Sequence, residues 1–338
     1  MINLKTNYLG MELKNPIIVG ASDLSNDNSN LKAAEESGAA AIVFKSLFEE
    51  QIQLERFEMD NQMEEYNERH AEMVTLFPKL HHNGPHEHLN KLRKAKESVG
   101  IPVIASLNAI YKETWLEYAK LIEDTGVDAI ELNFYAVPGD FKKDEREIIN
   151  QQIELVKEIK KILNIPVSVK LSPYYTNILK VIAEMSKAGA DGFILFNRLF
   201  QADIDLEKES HYSPFSLSSE NDNKLPLRFA GLLYDNVKSD ICASSGIFTG
   251  YDVIKMIMAG AGSVQVVSAL YKHKISHINT MLEDMIMWMK SKGYNTLKEI
   301  RGKLSEKNTK DPFIYKRAQY IDLILNSGAL LKGTYNLR

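Results

Sequence analysis

Cysteine is almost absent from this sequence, with Cys242 the single one in 338 residues. One cysteine excludes an internal disulfide, and it also excludes an iron–sulfur cluster that this chain alone would bind through cysteines. An excess of one charge is lacking too, because 41 lysines and arginines stand against 45 aspartates and glutamates, a net charge of −4. Without a dense basic stripe, the sequence does not predict a nucleic-acid-binding protein.

Long hydrophobic runs are also missing. No apolar segment approaches the roughly 20 residues that a membrane-spanning helix needs, and the first residues, MINLKTNYLG, are too polar for the apolar part of a signal peptide. The apolar fraction of 44% and the charged fraction of 25% are ordinary for globular proteins. We therefore expect a cytoplasmic globular protein without a membrane contact.

What the sequence does contain is a unit repeated four times: a helix end, a glycine and an apolar run of strand length. The units are ESGAAAIVFKS (36–46), DTGVDAIELN (124–133), KAGADGFILFN (187–197) and MAGAGSVQVVS (258–268), with Gly38, Gly126, Gly189 and Gly260. A glycine at this place ends a helix with left-handed backbone. Runs that are apolar at consecutive positions suit strands buried on both faces.

Four more runs of strand length lie between these units: NPIIVGAS (15–22), IPVIASLN (101–108), IPVSVKLS (165–172) and SDICASSG (239–246). The segments between runs have the apolar spacing of helices, as at Trp115, Tyr118, Ala119 and Ile122, and at Ile149, Ile153, Val156 and Ile159. Eight alternating units predict an α/β protein, a (β/α)8 TIM barrel rather than an open doubly wound sheet.

We predict one barrel domain over residues 1–303 and a C-terminal helical extension over 304–338. Two connections are too long for ordinary barrel loops: about 48–88, after the second strand, and about 199–225, after the sixth. Loops of this length are commonly lids or binding loops. Both follow the carboxyl ends of strands, where the active sites of such barrels are assembled.

The predicted strand ends carry small, polar or cationic residues. In chain order these are Ala21, Ser22, Lys45, Ser46, Ser106, Asn108, Asn133, Lys170, Asn197, Ser245, Gly246, Val267 and Ser268. Two cations and several amides at one barrel mouth favour a planar, polar-edged, anionic ligand, and the last two turns favour a phosphate. Flavin mononucleotide (FMN) would use all of these groups, with amides at the ring edges and a lysine near the charge of the reduced ring.

Each of these residues also has a structural interpretation. A lysine at a strand end often forms an ion pair, and asparagines or serines there can satisfy backbone groups. Lys170 is the hardest to explain in this way, because VSVKLS places its charge inside a buried run. A buried ammonium without a partner is costly.

At these residues the sequence resembles the dihydroorotate dehydrogenase family, most closely its soluble class 1 members. The resemblance covers about residues 3–303 and rests on NPIIVGAS, AAIVFKS, IELN, SVKLSPYY, ILFN and SSGIFTGYDVIKMIMAGAGSVQVVSAL. It implies FMN at the barrel mouth, hydride transfer between flavin N5 and a substrate, and a place in pyrimidine biosynthesis. It also implies a homodimer or an electron-transfer partner.

The resemblance implies roles for individual residues as well. Ala21, Ser22, Lys45, Ser46, Asn133, Lys170 and Asn197 would face the flavin or the substrate, and Ser245, Gly246 and Ser268 would form the phosphate turns. The chain departs from the family in the loop after the fourth strand, where a cysteine or serine base is expected and NFYAVPG offers Tyr135 and Ala136. An unperturbed phenol titrates at about pH 10. Our candidate catalytic residues are Tyr135, Lys45 and Asn133.

Two further departures concern the substrate loop and the phosphate site. The family's asparagine-rich loop is replaced by LHHNGPHEHLN (80–90), and Val267 stands where the family has a phosphate-facing glycine. The segment contains four histidines, His81, His82, His86 and His88. If the segment is extended, the His86-x-His88 spacing can chelate a metal, although we assign no metal site. One of the four histidines could instead supply the missing acid or base, or the loop could bind an anionic substrate or face water.

Two functions remain open at this point. The first is an FMN-dependent dehydrogenase that acts on a small, planar, anionic substrate. The second is a catalytically degenerate flavin-binding barrel that serves as a subunit or a sensor. A third interpretation, a lyase or aldolase with Lys170 as a Schiff-base nucleophile, has less support.

Overall fold

The computed structural model describes residues 2–54, 85–134, 141–198, 201–325 and 327–328. Its strands are β1 (Thr6–Tyr8), β2 (Met11–Leu13), β3 (Ile17–Val19), β4 (Ala41–Val43), β5 (Leu47–Phe48), β6 (Val103–Asn108), β7 (Ala129–Asn133), β8 (Val167–Leu171), β9 (Gly192–Leu195), β10 (Asp203–Asp205), β11 (Ser210–Tyr212), β12 (Asp240–Ser244) and β13 (Ser263–Val266). Its α-helices include α1 (Asn28–Glu36), α2 (Pro85–Ser98), α3 (Lys112–Glu123), α4 (Glu145–Ile162), α5 (Ile178–Ala188), α6 (Lys224–Leu233), α7 (Gly250–Ala259), α8 (Ser268–His273), α9 (His277–Lys292) and α10 (Arg317–Leu325).

Eight of the nine strands in the main sheet close into a parallel barrel, in the order β3, β4, β6, β7, β8, β9, β12, β13 and back to β3. The pairing of Ile42 with Val103 and that of Val264 with Ile17 are two of the contacts that complete the ring. Strand β5 extends the ladder at the end of β6. The predicted (β/α)8 barrel is confirmed.

The four glycines of the repeated unit have the backbone that the pattern predicts. Gly38, Gly126, Gly189 and Gly260 have φ angles of 95°, 85°, 110° and 141°. The apolar stripe of α3 is buried, and α4 buries Val156 and Ile159 while Ile149 and Ile153 pack against the core. Apolar runs therefore became barrel strands, and apolar stripes became the helix faces that cover them.

The amino-terminal end of the barrel is covered by the β1–β2 hairpin. The Leu9 amide donates to Asp240 at the start of β12, and the Thr6 hydroxyl donates to the Gly262 carbonyl just before β13. Tyr8, Leu9 and Leu13 pack on apolar residues of the strands in one buried cluster. This end of the barrel is therefore filled with side chains, and polar groups gather at the other end.

The insertion after the second barrel strand is helical where the structure describes its ends. Residues 49–54 are helical, and α2 begins at Pro85, a residue suited to the first turn of a helix. The interpretation of residues 80–90 as a loop is therefore wrong from residue 85 onward, and the helix does not provide the extended backbone that His86-x-His88 chelation requires. Leu89 and Leu92 give the helix a buried face. His81, His82, Tyr135 and Ala136 lie outside the described residues.

The insertion after the sixth barrel strand contains the antiparallel β10–β11 hairpin and a 3-10 turn at Glu220–Asn223. The segment after α9 bonds to the barrel helices, with the Leu304 amide donating to Met258 and the Glu306 amide to Gly231. The predicted boundary at residue 303 falls within this segment and stays a prediction. Among the described helices, none has the length and apolar character that a bilayer crossing demands.

Candidate active site

A cavity opens at the carboxyl ends of the barrel strands. Its lining comes from the turns after β3, β9, β12 and β13, from the end of β8 and from residues 215–218 of the second insertion. Eight predicted cofactor residues line it: Ala21, Ser22, Lys170, Asn197, Ser245, Gly246, Val267 and Ser268. The structure thus brings together most of the residues that the strand ends suggested.

The described lining is rich in hydrogen-bond donors and carries positive charge. It contains two cations, Lys170 and Arg198, six serines and, among the residues that the structure describes there, no carboxylate. Each cation has a counter-charge behind the lining: Lys170 pairs with Glu131, and Arg198 pairs with Asp222 at 3.0 Å. Such a surface favours an anionic ligand that accepts many hydrogen bonds.

Lys170 points into the barrel from β8, and its side chain is only 10% exposed. Its Nζ donates to Oε1 of Gln265 at 3.0 Å and lies 3.4 Å from Oε1 of Glu131. Nε2 of Gln265 in turn donates to Oε2 of Glu131. These three residues, from β7, β8 and β13, form a closed set of contacts that we call the Glu131–Gln265–Lys170 network.

The turns after β12 and β13 are joined by Ser218 of the second insertion. The Gly246 amide donates to Oγ of Ser218 at 3.3 Å, and the Ser218 amide donates to Oγ of Ser268 at 3.0 Å. Ser245 and Gly246 both have left-handed backbone, with φ of 78° and 69°. The oxygens of Ser218 and Ser268 accept these amides, so their O–H groups stay available as donors beside the tight turn, an arrangement that suits a phosphate.

Asn133 and Asn197 act as a pair at the rim. Nδ2 of Asn197 donates to Oδ1 of Asn133 at 2.8 Å, so Asn133 is tied to the cavity through its neighbour. The register of β7 and β8 sets Asn133 beside Lys170. The amides of the two asparagines are thereby oriented before any ligand binds.

The other predicted cofactor residues bond to partners outside the cavity lining. The Lys45 ammonium donates to the Asp23 carboxylate, and the hydroxyls of Ser46 and Ser106 are 2.7 Å apart. Asn108 lies at the end of β6 and pairs with Phe48 of β5. Their predicted roles, and the catalytic role of Lys45, stay predictions.

His88 is a core residue of α2, buried to 6% exposure. Its ring meets the Phe44 ring edge-on at 5.4 Å. Burial, together with smaller contributions from the positive charges of Lys45 and Lys91, lowers the pKa of His88 to about 4. His86 is exposed. Across the described part of the chain, no group of three or more histidine, cysteine or acidic side chains is placed to hold a metal ion.

Glu131, Gln265, Arg198 and Ser218, whose contacts shape the site, are among the residues that sequence reasoning missed. Glu131 and Gln265 stand inside the apolar runs IELN and SVQV, the same signal that singled out Lys170, and they could have been found by it. Arg198 and Ser218 had no such signal, because the segment that follows β9 has no strand or helix periodicity.

The comparison with protein families identifies the chain. The sequence profile of the family described as dihydroorotate dehydrogenase matches residues 3–289. The chain belongs to the dihydroorotate dehydrogenase family. This family consists of flavin-dependent oxidoreductases that act on CH–CH bonds, and the protein is an oxidoreductase of this kind.

Several individual proteins are similar to the chain over most of their length. The chain is 28% identical to the catalytic subunit of dihydroorotate dehydrogenase B (NAD(+)) from Methanocaldococcus jannaschii over 316 residues, which cover 90% of this chain and 98% of the relative. The protein of the same name from Thermoplasma volcanium is 29% identical over 308 residues, 89% of this chain and 98% of the relative. Dihydropyrimidine dehydrogenase (NADP(+)) of Arabidopsis thaliana chloroplasts is 24% identical over 334 residues, 89% of this chain and 76% of the relative.

Proposed function

We propose that this protein is an FMN-dependent dehydrogenase that transfers a hydride between flavin N5 and a planar dihydropyrimidine, with dihydroorotate as the first candidate. The observation that carries the proposal is the buried Lys170 ammonium, which faces a cavity lined by serines, amides and a second cation. The names of the relatives point to the same substrate class, since each is named for a dihydropyrimidine ring.

The residues of the cavity fit FMN. Ser218, Gly246 and Ser268 would hold the phosphate, while Ala21, Ser22 and Asn197 would border the ring. A Cβ on Gly20 would lie 2.7 Å from Cγ2 of Val267, so the missing side chain of Gly20 leaves room for the valine. Val267, where the family has glycine, is thereby accommodated at the strand end.

Bound FMN would supply the acceptor for the hydride. Lys170 would place positive charge at the pyrimidine edge of the ring, where negative charge collects on reduction. Asn133 and Asn197 would hold the substrate in the plane needed for transfer, because their amides are already oriented by their mutual hydrogen bond. For the proton that leaves the substrate, our candidate is Tyr135.

The protein should be purified and its visible spectrum recorded, then mixed with dihydroorotate without oxygen. The expected result is a yellow protein whose flavin absorbance disappears on mixing. Dihydrouracil, which lacks the carboxylate of dihydroorotate, is the matched control and should bleach the flavin more slowly. Lys170→Met should weaken FMN binding or slow the bleaching, because no other described cation that lines the cavity lies in the barrel interior.

Three outcomes separate the possibilities. A colourless protein that gains no thermal stability from added FMN would contradict the cofactor assignment, because a bound ligand raises apparent stability. A yellow protein that dithionite bleaches but no dihydropyrimidine bleaches would favour the degenerate barrel, to which NFYAVPG, without cysteine or serine, lends support. If dihydrouracil bleaches the flavin and dihydroorotate does not, the proposed hydride transfer from a dihydropyrimidine stands, and dihydroorotate is rejected as the substrate.

The electrons must also leave the flavin. Several relatives are named catalytic subunits, and we propose that this chain likewise works with an electron-transfer partner or as a homodimer that reduces a small-molecule acceptor. Co-purification from the native host, followed by the oxidation rate of the reduced protein with and without the co-purified chain, tests this arrangement.

A further inference from the structure

We propose that Glu131 and Gln265 are positioning residues, which fix the Lys170 ammonium at the cavity and set the net charge that a bound flavin ring meets. The inference rests on the proposed FMN function. Its physical basis is the Glu131–Gln265–Lys170 network, which lies beneath the cavity inside the barrel.

The network is buried, so water contributes little to its screening. Glu131 is 0% exposed, Gln265 is 2% exposed and Lys170 is 8% exposed. A carboxylate this deep in an apolar barrel is costly unless it is paired. Among the described ion pairs, Lys170 is the partner of Glu131, so each charge depends on the other.

Gln265 orients both charged groups through the two ends of its amide. Its oxygen accepts from the Lys170 ammonium, and its nitrogen donates to the Glu131 carboxylate. An ammonium can only donate and an ionised carboxylate can only accept, so one orientation of the amide satisfies both neighbours. The glutamine therefore determines where the ammonium stands, in addition to bonding to it.

The geometry leaves the ion pair incomplete. Oε1 of Glu131 is buried and has no hydrogen-bond partner among the described residues, and it lies 3.4 Å from the ammonium. The contact is long for a charge-assisted hydrogen bond, which measures about 2.7–2.9 Å. Lys170 thus keeps donors available on the cavity side while Glu131 offsets part of its charge from below.

The charge balance predicts opposite effects for two isosteric changes. Glu131→Gln removes the negative charge beneath Lys170, while its amide oxygen can still accept from Gln265. A bound flavin then meets more positive charge, which favours electron-rich states of the ring. Gln265→Met removes the amide that bonds to both charges, so the ammonium pairs directly with the Glu131 carboxylate and less positive charge faces the ring, which is the reverse effect. A purely structural role would lower stability in both variants without a change of opposite sign.

Sulfite binding to the oxidised flavin, read from the loss of flavin absorbance, reports the charge near the ring and does not require turnover. We expect sulfite affinity to rise on the order of tenfold in Glu131→Gln and to fall by a similar factor in Gln265→Met. For a two-electron couple, a tenfold change corresponds to about 30 mV. Dye equilibration should show matching shifts of the flavin potential, upward in the first variant and downward in the second.

The matched control is Glu158→Gln, which removes the carboxylate from another lysine–glutamate pair, Lys112–Glu158, on the outside of the barrel. It should change neither sulfite affinity nor potential. Equal sulfite affinities in wild type, Glu131→Gln and Gln265→Met, with FMN bound to all three, would overturn the inference and leave the proposed function intact. A wild-type protein that binds no FMN would overturn both. If Glu131→Gln does not fold, the decrease expected in Gln265→Met still decides the question.

Discussion

The imidazole of His88 is held neutral in the folded protein by its burial against Phe44. The pKa of His88 is about 4 when folded, against about 6.5 for an unperturbed histidine. The unfolded chain therefore takes up a proton between these values and the folded chain does not. Above pH 6.5 the protonation of His88 therefore does not affect the free energy of unfolding. As the pH falls from 6.5 toward 4, the free energy of unfolding decreases.

We expect His88→Leu to lose less stability on acidification than the wild type. Between pH 7.5 and pH 5 the wild type should lose about 2 kcal/mol more of its free energy of unfolding. Urea midpoints at the two pH values measure the difference. His211→Gln, at an exposed position of β11, is the control and should behave like the wild type. If wild type and His88→Leu lose the same free energy of unfolding between the two pH values, the pKa of His88 is not lowered in the folded protein.

Tyr135 is the residue through which we expect the substrate proton to pass. Tyr135→Phe removes the hydroxyl and should lower the rate of flavin reduction about 10²- to 10⁴-fold, the usual contribution of a general base. FMN affinity should not change. Stopped-flow absorbance gives the rate, and Tyr111→Phe, at an exposed tyrosine before α3, is the control. Full activity in Tyr135→Phe would move the proton-handling role to another group.

Charged and polar residues in the strands show how far the sequence predicts the site. Lys170 was identified because a charge inside an apolar run needs a partner, and the structure supplies Glu131 and Gln265. The same rule applied to IELN and SVQV would have predicted the network. The rule is weaker for Lys45, because this lysine lies at a strand end and its side chain reaches the exposed carboxylate of Asp23.

Two glycines with left-handed backbone, Gly246 and Gly126, differ in the space around them, so alanine at each position distinguishes backbone strain from steric crowding in a turn. Gly246 has φ of 69°, and a Cβ there would lie 2.3 Å from the Asn223 amide nitrogen. Gly126 has φ of 85° and open space around a Cβ. The two positions share the backbone penalty for alanine, roughly 1 kcal/mol, and differ in what surrounds them.

Gly246→Ala should therefore cost clearly more stability than Gly126→Ala, and it should also weaken FMN binding by displacing the turn from Ser218. Gly126→Ala should lose roughly 1 kcal/mol and bind FMN as the wild type does. Thermal unfolding and FMN titration measure both effects. Equal destabilisation with unchanged FMN affinity would contradict the assignment of the Gly246 turn to the phosphate.

Most elements of the barrel followed from the sequence because burial on both faces leaves a plain signature. Apolar runs of strand length correspond to all eight strands, and a glycine that ends a helix precedes four of them. The start of α2 was not predicted, since the histidine-rich segment before it has no apolar stripe until Leu89 and Leu92. The structure of the second insertion could not be predicted either, because its short hairpin is exposed and the residues that line the cavity lie in turns.

At the scale of the whole molecule, the segment between α9 and α10 fastens the chain end to the barrel. Arg228 of α6 donates to the carbonyls of Ile314 and Tyr315, and the Tyr315 hydroxyl donates to Leu304. Helix α10 follows with Leu323 and Leu325 exposed. The predicted extension thus has a first part bonded to the barrel and a second part whose described apolar side chains face outward.

A chain that ends at Lys316 should keep its FMN affinity and lose little thermal stability. A chain that ends at Ile300 should be markedly less stable, because it lacks the amides of Gly302, Leu304 and Glu306 that bond to the barrel helices. Thermal unfolding and FMN titration of the two truncated proteins test this. A large loss of stability in the longer of them would place part of the fold's support in residues 317–338.

The hairpin that fills the amino-terminal end of the barrel has a kinetic consequence. Tyr8, Leu9 and Leu13 fill that end, so among the described residues the cavity proposed for FMN opens on the carboxyl side. If the protein works as the proposed homodimer with a small-molecule acceptor, we expect the substrate and the acceptor to use this one opening in turn. Initial rates against both concentrations should give parallel double-reciprocal lines, and each compound at high concentration should inhibit by excluding the other.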